Sequence, residues 1–180
     1  MKVFVTGADG LLGTNIVLEL LQQNYDVRVF LLPDSPSKTL DGLPIERTYG
    51  NILEPETIRK AMQGCDAVIH AAASTAMWPT RSAIVRRINI EGTDNMIAVA
   101  SEQNIQRFVY VGSGSSFDFG TKEEPGDENS PFTGGMYKLD YIDSKYVAQE
   151  HVLRAVREEN FPALIVAPTF MLGPHDSKPG

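Results

Sequence analysis

The chain has 180 residues, 42% hydrophobic and 22% charged, and its 16 Lys+Arg against 23 Asp+Glu leave a formal net charge of −7. This ordinary globular composition sets aside disorder, collagen and coiled coil, and a chain of this length forms one domain able to bury roughly 70% of its unfolded surface. Net negative charge without a basic cluster argues against nucleic acid or a polybasic membrane anchor as partner. No run reaches the ~18 apolar residues of a membrane span. The opening run Val3-Phe4-Val5 is too short for a secretory leader, and the single Cys65 supports neither an internal disulfide nor a multi-thiolate metal site. The expectation is a soluble, cytoplasmic single domain over 1–180 with no metal.

Val3-Phe4-Val5 is a short apolar, β-branched run, three glycines fall between 6 and 13, and 14–23 sets Ile16, Val17, Leu20 and Leu21 at helical spacing. This predicts strand, glycine-rich turn and amphipathic helix. Asn24-Tyr25-Asp26 breaks the pattern, a second strand covers 27–32, and 33–44 is loop rich in Pro, Ser, Asp and Gly. A short strand is expected at 45–49. Pro55 opens a helix to about 63, because proline is tolerated in a first turn. A compact strand at 67–70 ends in Ala71-Ala72-Ala73, 74–80 is irregular, and 82–103 predicts a long helix containing Gly92. A strand at 108–111 leads into Gly112-Ser113-Gly114-Ser115-Ser116. A polar loop follows at 121–135, then a helix at 137–159 and a last strand at 163–167 closed by Pro168.

Strands that alternate with helices and read as nearly unbroken apolar runs predict an α/β fold: a doubly wound parallel sheet with helices on both faces. Ligands of such sheets sit at the carboxyl ends of the strands, near the switch in strand order. The glycine-, alanine- and serine-rich segments all fall just after a strand.

Gly7, Gly10 and Gly13 form G-x-x-G-x-x-G between the first strand and helix. Gly7 permits the tight turn, Gly10 lets a pyrophosphate approach the backbone, and Gly13 lets the helix pack close to the sheet. The helix N-terminus then offers free N–H groups and a positive dipole end. Tyr141 and Lys145, four apart, share one face of a helix. A tyrosine that moves protons near neutral pH has to drop about two units, which takes roughly 2.7 kcal/mol. An ammonium about 4 Å away supplies up to ~4 kcal/mol at an effective dielectric of 20. A hydroxyl in the serine cluster can hydrogen-bond a substrate oxygen and stabilise charge developing there. Each signal alone also fits a bland turn or a chance spacing, and it is their order along the chain that gives them weight.

Taken with His70-Ala71-Ala72-Ala73, Asn89-Ile90-Glu91-Gly92-Thr93 and the segment from Pro168-Thr169 to Gly173-Pro174, these motifs resemble the extended short-chain dehydrogenases/reductases. That family includes NAD-dependent epimerases and dehydratases and the 3β-hydroxysteroid-dehydrogenase or dihydroflavonol-reductase-like enzymes. The resemblance implies a Rossmann-like core binding NAD or NADP. It further implies hydride transfer at a substrate carbinol or carbonyl carbon, with Tyr141 as the general acid/base and Lys145 lowering its pKa while holding the nicotinamide ribose. It also implies that Gly7, Ala8, Asp9, Gly10, Leu11, Leu12 and Gly13 cradle the phosphates. Asn51, in place of a more usual Asp, and Ile52 meet the adenine, and Ala71, Ala72, Ala73, Asn89 and Pro168 line the cofactor channel. By the same resemblance the substrate-orienting serine is Ser113, counted from the strand after Arg107, in preference to Ser115, which counting back from Phe119-Gly120 favours.

Two departures stand out. The position equivalent to the ribose-reading residue at the end of the second strand is Leu32, followed by Pro33-Asp34, so neither the acid expected for NAD nor the arginine expected for NADP is present. Asp34 tilts the balance slightly to NAD and Lys38 slightly back. The chain also stops soon after its last strand, so the expectation is that the family's C-terminal substrate lobe is absent or truncated here, in a fragment or a naturally short form. The alternative from another class is a non-catalytic NAD(P)-binding module. A homodimer through the helices near 82–103 and 137–159, a small-molecule substrate and no nucleic-acid or membrane partner complete the expectation. His70 is expected to be a packed core histidine.

Overall fold

A computed structural model of the protein describes residues 1–35 and 37–176. Six strands, β1 (Lys2–Thr6), β2 (Asp26–Leu31), β3 (Glu46–Tyr49), β4 (Ala67–His70), β5 (Arg107–Val111) and β6 (Ala163–Val166), form one sheet in the order β3-β2-β1-β4-β5-β6. Every neighbouring pair is parallel. The expected doubly wound sheet is therefore observed, with its order reversing between β1 and β4, which pair from Val3 with Ala67 to Thr6 with His70.

Alternation along β1 separates two cores. Phe4 joins Phe30, Ile58, Met62, Met96, Phe108 and Val152 on one face of the sheet. Val3 and Val5 join Val17, Val29 and Leu40 on the other. The first layer is built on α2 (Pro55–Met62), α4 (Gly92–Glu102) and α5 (Asp140–Glu159), the second on α1 (Leu11–Gln22). At the far edge the pattern changes. Ile165 of β6 packs on the first core, while Leu164 and Val166 are 42% and 44% exposed.

Three boundaries differ from expectation, each for a local reason. Helix α1 starts at Leu11 because Gly10, extended at φ −90° and ψ 171°, already serves as its N-cap. The long helix expected at 82–103 is built from α3 (Ala83–Arg86), a π-helical turn over Arg87–Glu91, and α4. Widened turns of this kind gather at functional sites. The last helix begins at Asp140 rather than 137, because Lys138 takes a left-handed conformation at φ 52° and ends a 3-10 turn over Gly134–Tyr137.

The glycine-rich loop is held by backbone contact. Gly7 has φ +68°, and a Cβ there would stand 2.6 Å from the Ala72 nitrogen. A Cβ on Gly13 would stand 2.0 Å from the Gly7 oxygen, whereas one on Gly10 would meet only that oxygen, at 3.5 Å. Gly13→Ala is expected to cost about 1–3 kcal/mol through forced displacement. Gly10→Ala should cost less, and urea midpoints at unchanged m value compare the two.

Candidate active site

Two loops flank the reversal in strand order, the glycine-rich turn after β1 and Ala71–Ala73 after β4. At the N-terminus of α1, Gly10 N–H closes the turn onto the Gly7 carbonyl at 3.2 Å. The N–H groups of Leu11, Leu12 and Gly13 fall in the first turn, where a helix has no acceptor of its own to offer. Ala8 and Gly13 are buried beneath them, and Leu11 and Leu12 are half-buried. Asp9 accepts the Ser35 hydroxyl at 2.9 Å, tying the loop to the segment after β2.

Beneath this loop runs a directional chain of buried hydrogen bonds. Ala72 N–H donates to Thr6 Oγ1 at 3.1 Å, and Thr6 Oγ1 lies 2.8 Å from His70 Nδ1. His70 Nε2 lies 3.2 Å from Thr93 Oγ1, whose own proton goes to the Asn89 carbonyl at 2.7 Å. Because Thr93 has spent its proton, it accepts from His70 Nε2–H, and Nδ1 in turn accepts from Thr6. Burial, reinforced by the positive charge of Lys145, pushes the His70 pKa down to about 3, so the ring is neutral and carries one proton. His70 is thus a packed core histidine, as expected from its place at a strand end.

Asn89, in the π-helical turn, is expected beside the cofactor, but its amide is engaged elsewhere. Its Oδ1 accepts Ser74 N–H at 2.7 Å, and its Nδ2 donates to the Ser74 carbonyl at 3.1 Å and to Ser144 Oγ at 2.9 Å. Ser144 in turn donates to the Tyr141 carbonyl at 2.9 Å. Asn89 therefore clamps the loop after β4 to the first turn of α5. Sequence gives no hint of Ser74 or Ser144, since isolated serines carry no pattern.

Tyr141 is half-buried in that first turn, and Lys145 follows one turn later, only 4% exposed. The Lys145 ammonium donates to the Val111 carbonyl at the end of β5 at 2.7 Å and sits 4.5 Å from the centre of the Tyr110 ring. Burial pushes its pKa down to about 7. Burial also pushes the Tyr110 phenol well above its ordinary range, with nearby Tyr141 adding to the rise. Asp140, buried at the start of α5, accepts from Ser82 N–H at 2.6 Å and from Arg81 at 2.9 Å, which fixes where the helix begins.

Ser113 and Ser115 lie together beyond β5, their hydroxyls 2.8 Å apart. Ser113 caps the 3-10 turn over Gly114–Ser116 by accepting Ser115 N–H at 3.3 Å, and Gly114 N–H donates to the Pro168 carbonyl at 2.8 Å. Both alternatives thus stand at the same strand end, with Pro168 bound to the segment between them. Just beyond β3, Asn51 Oδ1 accepts Leu53 N–H at 3.0 Å, and Ile52 is buried against Gly92, where a Cβ would be 2.6 Å from its side chain. Trp78, in the irregular segment after β4, is 84% exposed. Among the described residues, no helix is long and apolar enough to cross a membrane, and no group of three His, Cys, Asp or Glu side chains could hold a metal.

Glycine cradle, alanine strand end, serine pair and buried lysine form one continuous rim along the carboxyl edge of the sheet. The family model described as the NAD dependent epimerase/dehydratase family matches residues 3–180. The chain belongs to that family. Among curated proteins it is similar to a 3-beta-hydroxysteroid dehydrogenase of Mycolicibacterium neoaurum, 32% identical over 185 residues, covering 97% of this chain and 49% of that protein. It is also similar to the sterol demethylase protein B of Methylococcus capsulatus, 32% identical over 182 residues, covering 99% of this chain and 54% of that protein. A solved short-chain dehydrogenase/reductase superfamily protein from Agrobacterium tumefaciens, with bound NAD, superposes with a TM-score of 0.79 at 26% identity, covering 93% of this chain and 48% of that one. The chain thus spans about half the length of the curated relatives it matches. Family members are enzymes that use a nicotinamide dinucleotide, and the extended short-chain dehydrogenase/reductase resemblance in the motifs is borne out.

The buried lysine has a consequence for stability. Its folded pKa of about 7 lies below the ordinary lysine value, so between the two the unfolded chain holds one more proton. Stability therefore rises with pH across that window. Relative to Lys145→Met, the wild type is expected to gain up to about 1.4 kcal/mol per pH unit above neutrality. Urea unfolding of both proteins from pH 6 to 10, without cofactor, measures the difference.

Proposed function

We propose that the protein is an NAD(P)-dependent oxidoreductase or epimerase acting at a substrate carbinol or carbonyl carbon, with Tyr141 as its general acid/base. The observation that carries this reading is Lys145: an ammonium desolvated at the carboxyl end of β5, one helical turn from Tyr141 and bonded to the Val111 carbonyl, two residues before Ser113 in the chain. A buried lysine with no carboxylate partner among the described residues is costly to keep, and perturbed groups of this kind concentrate at functional sites.

The chain fits a dinucleotide on its own geometry. Gly10 leaves room for a close approach above the open N–H groups of α1, where Gly7 and Gly13 already touch neighbouring backbone. Gly7, Ala8, Asp9, Gly10, Leu11, Leu12 and Gly13 would hold the pyrophosphate, Asn51 and Ile52 the adenine end, and Ala71, Ala72 and Ala73 the channel between. Lys145 and Tyr141 would hold the nicotinamide ribose. When bound, the nicotinamide supplies or accepts the hydride.

The protein's own part is proton transfer and orientation. Tyr141 would take a proton from a substrate hydroxyl or return one to a carbonyl oxygen, with Lys145 one helical turn behind it. Ser113 and Ser115, already bonded to each other, orient that oxygen. A cavity of about 420 Å³ opens beyond Gly114, its lining mixing Phe117, Phe119 and Ala167 with the acids Asp118, Asp127 and Glu128. It would take part of the substrate's body. Asn89 and Ser144 hold Tyr141 in place through its carbonyl.

Tyr141→Phe is expected to reduce turnover of secondary alcohols or nucleotide sugars by about 10²-fold or more. NADH affinity, read by fluorescence, should stay within about threefold, a range smaller than 1 kcal/mol. Unchanged turnover would remove Tyr141 from the mechanism, and cofactor binding without turnover in the unaltered protein would favour a binding module. The homodimer belongs to the same reading, with α4 and α5, already joined by His151 and Asp94 at 2.7 Å, facing a second copy. Light scattering is expected to give a dimeric mass.

A further inference from the structure

In doubly wound sheets the adenosine ribose lies beyond the second strand. An acid there bonds its 2′-hydroxyl in NAD proteins, and an arginine pairs the 2′-phosphate in NADP proteins. Here β2 runs into Leu32, an apolar residue that is 56% exposed, so the usual position recognises neither. The chain instead makes a tight turn. Ser35 N–H donates to the Leu32 carbonyl at 3.2 Å, with Pro33 at the first corner and Asp34, at φ 60°, at the second. Proline presets the first corner and aspartate tolerates the left-handed second. The turn brings Ser35 back toward the glycine-rich loop, where its hydroxyl donates to Asp9 Oδ2 at 2.9 Å. Asp9 immediately precedes Gly10, so its carboxylate stands between the phosphate cradle and the end of β2.

The nearby arginines are committed elsewhere. Arg47 donates to the Leu40 carbonyl at 2.6 Å and pairs with Asp41 at 3.1 Å. Arg28 pairs with Glu46 at 2.8 Å and donates to the carbonyls of Ala61 and Gln63. Lys38, at the start of a short 3-10 turn, is the one basic residue in the sequence between 32 and 44.

We propose that Asp9, held by Ser35, recognises the 2′-hydroxyl of the adenosine ribose and makes the site select NAD(H) over NADP(H). The inference rests on the dinucleotide reading above. An ionised carboxylate has about four acceptor positions, so it can take the ribose hydroxyl alongside Ser35. A 2′-phosphate at the same place meets like charge, which disfavours the wrong ligand. The acid that selects NAD would then come from the loop after β1 rather than from the end of β2.

Titration of the protein with NADH and with NADPH, followed by nicotinamide fluorescence, tests this. The wild type is expected to bind NADH at least roughly tenfold more tightly. Asp9→Asn keeps the size and removes the charge, and should shrink that ratio at least about fivefold, mainly by a gain for NADPH. Ser35→Ala, on a different segment, should shift the ratio in the same direction, and Lys38→Ala should not shrink it. Equal affinities in the wild type, or an unchanged ratio in Asp9→Asn, would overturn the selectivity assignment alone. Failure to bind either dinucleotide would overturn the cofactor site and this assignment together.

Discussion

At the point where the strand order reverses, backbone meets backbone with no side chain between. Gly7 presses on Ala71 and Ala72, and Gly13 on the carbonyl of Gly7, at separations that no Cβ could occupy. This contact sets the distance between the turn after β1 and the strand end after β4, and so the width of the crevice a ligand must enter. Thr6, the last residue of β1, reinforces it by accepting Ala72 N–H while facing His70. Binding and packing here impose one requirement: the absence of side chains lets the helix start approach both the sheet and a ligand.

The opposite wall is organised by buried polar groups. From Ala72 through Thr6, His70 and Thr93 to the Asn89 carbonyl, each donor has one acceptor, and the direction of the chain fixes the tautomer of the ring. Asn89 then joins Ser74 to Ser144, and Ser144 reaches Tyr141. The strand-end side and the α5 side of the crevice are thereby parts of one network. Lys145 stands apart from it, bonded to Val111 and resting against Tyr110, with burial holding its pKa near 7.

The sheet is legible in the sequence because its strands are buried on both sides and so appear as unbroken apolar runs, with glycine, alanine or serine marking their ends. The three glycines and the four-residue spacing of Tyr141 and Lys145 are equally plain, since backbone contact and helical geometry restrict residue type and spacing. Other features depend on partners distant in the chain. Asp140 starts α5 because Arg81 and Ser82 meet its carboxylate, some sixty positions away in sequence. The left-handed Lys138 carries no sequence mark, lysine not being a residue that usually favours that conformation. Asn89 stands in a recognisable motif, yet its partners Ser74 and Ser144 become visible only when the loop and helix are side by side. The two serines resist separation for another reason: Ser113 and Ser115 share one turn and one hydrogen bond.

The π-helical turn over Arg87–Glu91 amounts to one residue more than a regular helix would hold between Ala83 and Glu102. Deleting a single residue within it would give a smoother helix with better local geometry. Because the widened turn spreads its extra residue over a single wide coil, the same deletion would leave the two flanking halves close to their present phase and would alter mainly the turn itself. The residue lost would come from the turn that carries Asn89, so the grip of Asn89 on Ser74 is what the widened turn secures, while Arg86 before it keeps its place beside Asp140.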